Sequence, residues 1–97
     1  MGKVSDAIDL LKAKEASMTG GELMTLLIEL GFEVRQGRNG GGHHVVTHDE
    51  LDGFLSTGYD KSHNKFMLRC YPRNIRSVLK RYQSQLEIIV GDKNGKA

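Results

Sequence analysis

The stretch from Thr19 to Gln36 leaves this chain little choice. Thr19 and Glu22 have the spacing of a capping box, Leu23, Leu26, Leu27 and Leu30 recur at three and four residues, and Gly31 stands where a helix C′ glycine belongs. A helix over 19–31 follows, with its leucines and Met24 as core rather than as a binding groove. Phe32 to Gln36 then alternates apolar and polar residues. The period thus switches from helical to extended without a linker, and a helix is expected to hand over directly to a half-buried strand.

The other elements arrange themselves around that junction. Val4, Ile8 and Leu11 predict a short amphipathic helix over Val4 to Ala16 with Ser5 as N-cap. Gly37 to Gly42 reads as a turn, and His43 to His48 resumes an extended pattern, so a β-hairpin is predicted. Asp49 to Asn64 is polar, with Gly53 and Gly58, and reads as a connection with a short helical turn around Leu51 to Leu55. Phe66 to Cys70 is the expected third strand, with Phe66, Leu68 and a buried Cys70 on one face. Pro72 suits the first turn of a last helix, whose stripe is Ile75, Val78, Leu79, Tyr82, Leu86 and Ile89, with Arg73, Arg76 and Lys80 opposite.

The fold class implied is α+β: a three-stranded antiparallel sheet with two helices on one face, α-β-β-β-α, preceded by an extra N-terminal helix. Ninety-seven residues support one domain over 1–97, since a chain of this length buries only about two-thirds of its unfolded surface. Within it, 1–18 is an N-terminal helical extension, 19–90 the core and 91–97 a frayed tail. No apolar run nears the ~20 residues of a membrane span, and acids interrupt Met1 to Leu11, so a soluble cytoplasmic protein without membrane association is expected. The single Cys70 permits no internal disulfide or multi-cysteine zinc site.

A net charge of +2 conceals segregation along the chain. Residues 61–81 carry Lys61, Lys65, Arg69, Arg73, Arg76, Lys80 and Arg81 with no acid, whereas acids outnumber bases over 1–34. Such a block is either a solvated helix face or a surface for an anionic partner. Three of the four histidines, His43, His44 and His48, lie in one predicted strand after Gly40-Gly41-Gly42. Alternation puts His44 and His48 on one face and His43 on the other, which opposes convergence on one metal; a zinc site of His44, His48 and a carboxylate from Asp49 to Asp52 has no specific spacing behind it. No metal or other cofactor is expected. Imidazole beside cations suits RNA cleavage, where a base deprotonates the 2′-hydroxyl and cations steady the phosphate. Arg35 and Arg38 flank the glycines, while Arg69, Arg73 and Arg76 surround the positive end of the last helix.

These pieces resemble a known family. Leu26 to Gly31 with Phe32, Val34-Arg35-Gln36, the glycine turn, His43-His44-Val45-Val46 and Ile75-Arg76-Ser77-Val78-Leu79-Lys80 are similar, in order and spacing over residues 19–82, to the HicA toxins of toxin-antitoxin systems. Gly42 stands where that family usually has serine, and His48-Asp49 where it usually has His-Pro. The resemblance implies a fold like a double-stranded-RNA-binding domain and an endoribonuclease acting on mRNA, neutralised by a HicB-like antitoxin. It puts His44 in the catalytic place. The expected RNA contacts are Arg35, Arg38, Gly41, Gly42, His43, Arg69, Arg73, Arg76 and Lys80, and either His48 or a lysine is the general acid. A noncatalytic RNA-binding module of the same architecture, or a basic face for an acidic protein, would share the charge pattern without the chemistry.

Overall fold

The computed structural model describes residues 2–37, 43–60 and 65–91. In chain order it contains α1 (Lys3–Ala13), α2 (Gly20–Glu29), β1 (Glu33–Gln36), β2 (His43–Thr47), β3 (Thr57–Asp60), α3 (Cys70–Arg81) and α4 (Gln83–Ile89). The sheet is antiparallel in the order β1-β2-β3. The class is therefore α+β, as the residue pattern predicts.

The junction that opens the core forms as expected. Glu22 N–H donates to Thr19 Oγ1 at 3.1 Å and Thr19 N–H to Glu22 Oε1 at 3.0 Å, closing both halves of the capping box. Gly31 ends the helix in a left-handed conformation, φ +91°. A β-carbon there would also stand 3.0 Å from His48 Nε2, so the glycine makes room for that ring.

α1 starts at Lys3 with Gly2 as cap, ahead of the expected Ser5. Its Val4 and Leu11 are wholly buried, alongside Ala7 and Ile8, in the same cluster as Leu23, Leu27, Val46, Tyr59, Ile75, Leu79 and Leu86. The predicted stripe of the last helix is buried or packed against this cluster, but the helix divides at Tyr82. The break falls where the side chains reach across to the turn after β2. Tyr82 Oη donates to Gly53 O at 3.0 Å, and Gln85 accepts from Asp52 N at 2.9 Å while donating to Asp52 O at 3.3 Å.

Two expectations fail in the segment before α3. The third strand is Thr57–Asp60, not Phe66 to Cys70, and no helical turn forms around Leu51 to Leu55. Tyr59 is the buried anchor of β3, whereas Phe66 and Leu68 are exposed and Met67 alone of its neighbours turns inward, its N–H donating to Met18 O at 2.9 Å. Cys70 is exposed at the start of α3. Gly58 and Asp60 disguise the true strand, since both residue types are depleted in sheets.

The register divides the sheet residues cleanly. Gln36 pairs with His44, Val34 with Val46 and His44 with Tyr59, and these side chains face the helices. Arg35, His43, Val45, Gly58 and Asp60 occupy the other face, where no described residue is buried.

Candidate functional site

The two histidines that open β2 have different surroundings. His43 is exposed, with 61% of its side chain accessible, and its Nδ1 lies 2.8 Å from Asp60 Oδ1 across the β2–β3 ladder. Asp60 Oδ2 accepts a 3.1 Å hydrogen bond from Tyr71 Oη in the first turn of α3. The carboxyl is held below its usual range by His43 first and Tyr71 second, and the same bond raises Tyr71. Asp60 is therefore an acceptor at both oxygens.

His44 is half-buried and stacks on Tyr59, ring centroids 5.0 Å apart and planes within 3°. Burial raises the Tyr59 hydroxyl, which is enclosed without a hydrogen-bond partner. His48 shares His44's side of the sheet, as alternation predicts, but is 94% enclosed, with a relative exposure of 6%. Its Nδ1 accepts from Glu50 N at 3.2 Å, which leaves the proton on Nε2 to donate to Leu30 O at 3.2 Å. Both ring nitrogens are thus engaged in holding the end of α2 and the turn after β2. That removes His48 as general acid and as metal ligand in this arrangement. Among the described residues, no three His, Cys, Asp or Glu side chains gather in a group able to hold a metal ion.

The basic residues are less uniform than the sequence block implies. Arg35 is exposed on His43's face, 4.0 Å from Glu33. Arg69 and Lys80 are exposed. Arg73 is committed to a 2.7 Å pair with Glu15, tying α3 to the turn after α1. Arg76 does not project outward as expected: it is half-buried, and its Nε is enclosed without a partner. Arg38, Gly41 and Gly42, together with Lys61, lie outside the described residues.

The Glu15–Arg73 pair carries a pH prediction. The Arg73 hydrogen bond lowers the Glu15 carboxyl; partial burial opposes this, and the charges of Arg73, Arg69 and Arg76 add to it. A carboxyl depressed in the folded state stabilises above its ordinary pKa, and that contribution disappears as pH falls through the folded value. In urea unfolding, Glu15→Gln is expected to be slightly less stable than the original at neutral pH and equal to it in strong acid. The pair is solvent-exposed, so the difference is small.

Asp60 and Tyr71 are the members of this site that sequence reasoning missed. The sequence pattern puts Asp60 in a connection and Tyr71 at the boundary of a strand and a helix, so neither aligns with His43. A groove of about 750 Å³ lies elsewhere, between α1 and α2, floored by Ala7, Leu10, Leu26 and Leu30 and rimmed by Lys3, Asp6, Lys14, Glu22 and Glu29. Its mixed charges distinguish it from an anion site. No helix among the described residues is long and apolar enough to cross a membrane. No protein-family model, curated protein or solved structure matches the chain.

Proposed function

We propose that this protein is a HicA-like toxin with a double-stranded-RNA-binding-domain-like fold, a metal-independent endoribonuclease that acts on mRNA in the cytoplasm and is neutralised by a HicB-like antitoxin. The observation that carries the reading is the pair of imidazoles opening β2, with Arg35 of β1 on the face of His43 and exposed Arg69 at the start of α3. A histidine of this pair takes the proton from the ribose 2′-hydroxyl, and the guanidinium groups steady the charge on the phosphate. The family resemblance gives the first role to His44 and substrate contact to His43.

The stacking of His44 on Tyr59 gives some support to the second reading, a noncatalytic RNA-binding module, because a ring packed flat on a buried aromatic can be wholly structural. Induced synthesis in a bacterial host separates the two. The ribonuclease reading expects growth arrest with cleaved mRNA, both abolished by the double substitution His43→Ala, His44→Ala and both relieved by an antitoxin encoded beside the toxin. Unchanged arrest in the double variant would exclude histidine chemistry.

A further inference from the structure

Consecutive strand residues face opposite ways, so His43 and His44 stand back to back across the sheet and a single scissile phosphate meets one of them. Resting on the ribonuclease reading, we propose that His43, rather than His44, is the proton acceptor in RNA cleavage, held in its reactive tautomer by Asp60 with Tyr71 behind it.

The tautomer follows from the bonds. Asp60 is a carboxylate and can only accept, so the proton in the 2.8 Å contact belongs to His43 Nδ1, and in the neutral ring the Nε2 lone pair is the one left to accept. Tyr71 fixes the carboxylate from a second element, α3, through its 3.1 Å bond to the other oxygen. An exposed cross-strand His–Asp pair alone is an ordinary surface ion pair. What distinguishes this one is the third partner together with the close packing of the ring between two glycines. A β-carbon at Gly37 would lie 3.3 Å from His43 Cδ2, and one at Gly58 would lie 3.4 Å from Cε1 and 3.7 Å from Nε2. The two glycines flank the imidazole from β3 and from the end of β1.

The cation is on the same side. Arg35 pairs with Val45, which places its guanidinium on His43's face, whereas His44 faces the helices. In the step proposed, His43 Nε2 accepts the proton of the 2′-hydroxyl and the freed oxygen bonds to the adjacent phosphorus. The bond from phosphorus to the 5′-oxygen breaks, and that oxygen takes a proton from water. The imidazolium then returns its proton to the hydroxide so formed. The products are a 2′,3′-cyclic phosphate and a 5′-hydroxyl end. Asp60 and Tyr71 act through His43 as positioning residues.

The test uses the purified full chain and a short single-stranded RNA in EDTA, with initial rates measured for the original protein, His43→Ala, His44→Ala and Asp60→Asn. His43→Ala is expected to lose about 100-fold or more, the scale of a general base. In Asp60→Asn the amide donates to Nδ1 and sends the ring proton to Nε2; kcat should fall at least about tenfold with KM little changed. The ¹⁵N spectrum of the ring should show Nδ1 protonated in the original and Nε2 protonated in Asp60→Asn, a change that a merely structural role would not produce. Full activity in His43→Ala alongside loss in His44→Ala overturns the assignment and leaves the ribonuclease reading standing. An Nε2-protonated His43 in the original protein overturns it whatever the activity. Absence of cleavage by the original protein defeats the ribonuclease reading, and the catalytic role of His43 with it.

Discussion

Leu11→Ala is expected to destabilise the protein by about 2–5 kcal/mol, the usual range for emptying a fully buried leucine site. A small domain has a total stability of about 5–15 kcal/mol, so the loss is a large share of it. Leu11 sits on α1, a helix that a reading of the short core alone would treat as an appendage. The structure instead encloses it completely, with Val4, in the one core cluster, where α1 packs against α3 and α4. The cost has two parts: the lost transfer of the isobutyl group, and a cavity that the packed helices cannot close. Ile88→Ala serves as the control, because Ile88 on α4 is 73% exposed; it should change stability by no more than about 0.5 kcal/mol. Urea unfolding checks both. A shifted midpoint with an unchanged slope in Leu11→Ala supports the account, and equal small effects in the two variants would detach α1 from the core.

Gly58→Val is the second large effect, and here two principles oppose each other. Valine is a better strand former than glycine by up to about 1 kcal/mol. The site, however, has no room for it: a β-carbon would stand 2.9 Å from His44 O, a backbone atom that cannot move without disturbing the ladder, and 3.4 Å from His43 Cε1. Overpacking costs about 1–3 kcal/mol and wins. The variant should lose stability and also lose RNA cleavage at temperatures where it remains folded, because the backbone shift forced at His44 O carries the adjoining His43 away from Asp60. Thermal unfolding followed by rate measurement well below the transition checks this. A stabilised and fully active Gly58→Val would show that the close approach of β3 to His44 O does not hold His43 in place.

The same glycine explains where the sequence is legible and where it is not. α2 and its handover to β1 are readable because local signals agree: the capping box, the leucine stripe and Gly31 all specify one ending, and the structure contains each of them. Alternation also separates His43 from His44 and His48 correctly. β3 is different. Gly58 carries no propensity for a strand and is there because the His44 carbonyl comes too close for a β-carbon, while Phe66 to Cys70, richer in apolar residues, leads into α3 instead. With β3 hidden in this way its pairing partners are not legible, and neither is the bond from His43 to Asp60. Charge counting errs in a related way. Arg73 and Arg76 belong to one basic block in the sequence, yet one is paired with Glu15 and the other is half sunk into the fold. Long-range pairing decides which cations remain available, and no local pattern encodes it.

Ribonuclease chemistry at the start of β2 is tested most directly by the ends it leaves on RNA. Purified protein incubated with an end-labelled single-stranded RNA in excess EDTA is expected to produce fragments that terminate in 2′,3′-cyclic phosphate and begin with a 5′-hydroxyl, with none formed by the double variant His43→Ala, His44→Ala. RNA that stays intact in the presence of the original protein, or cleavage that EDTA abolishes, would contradict the account.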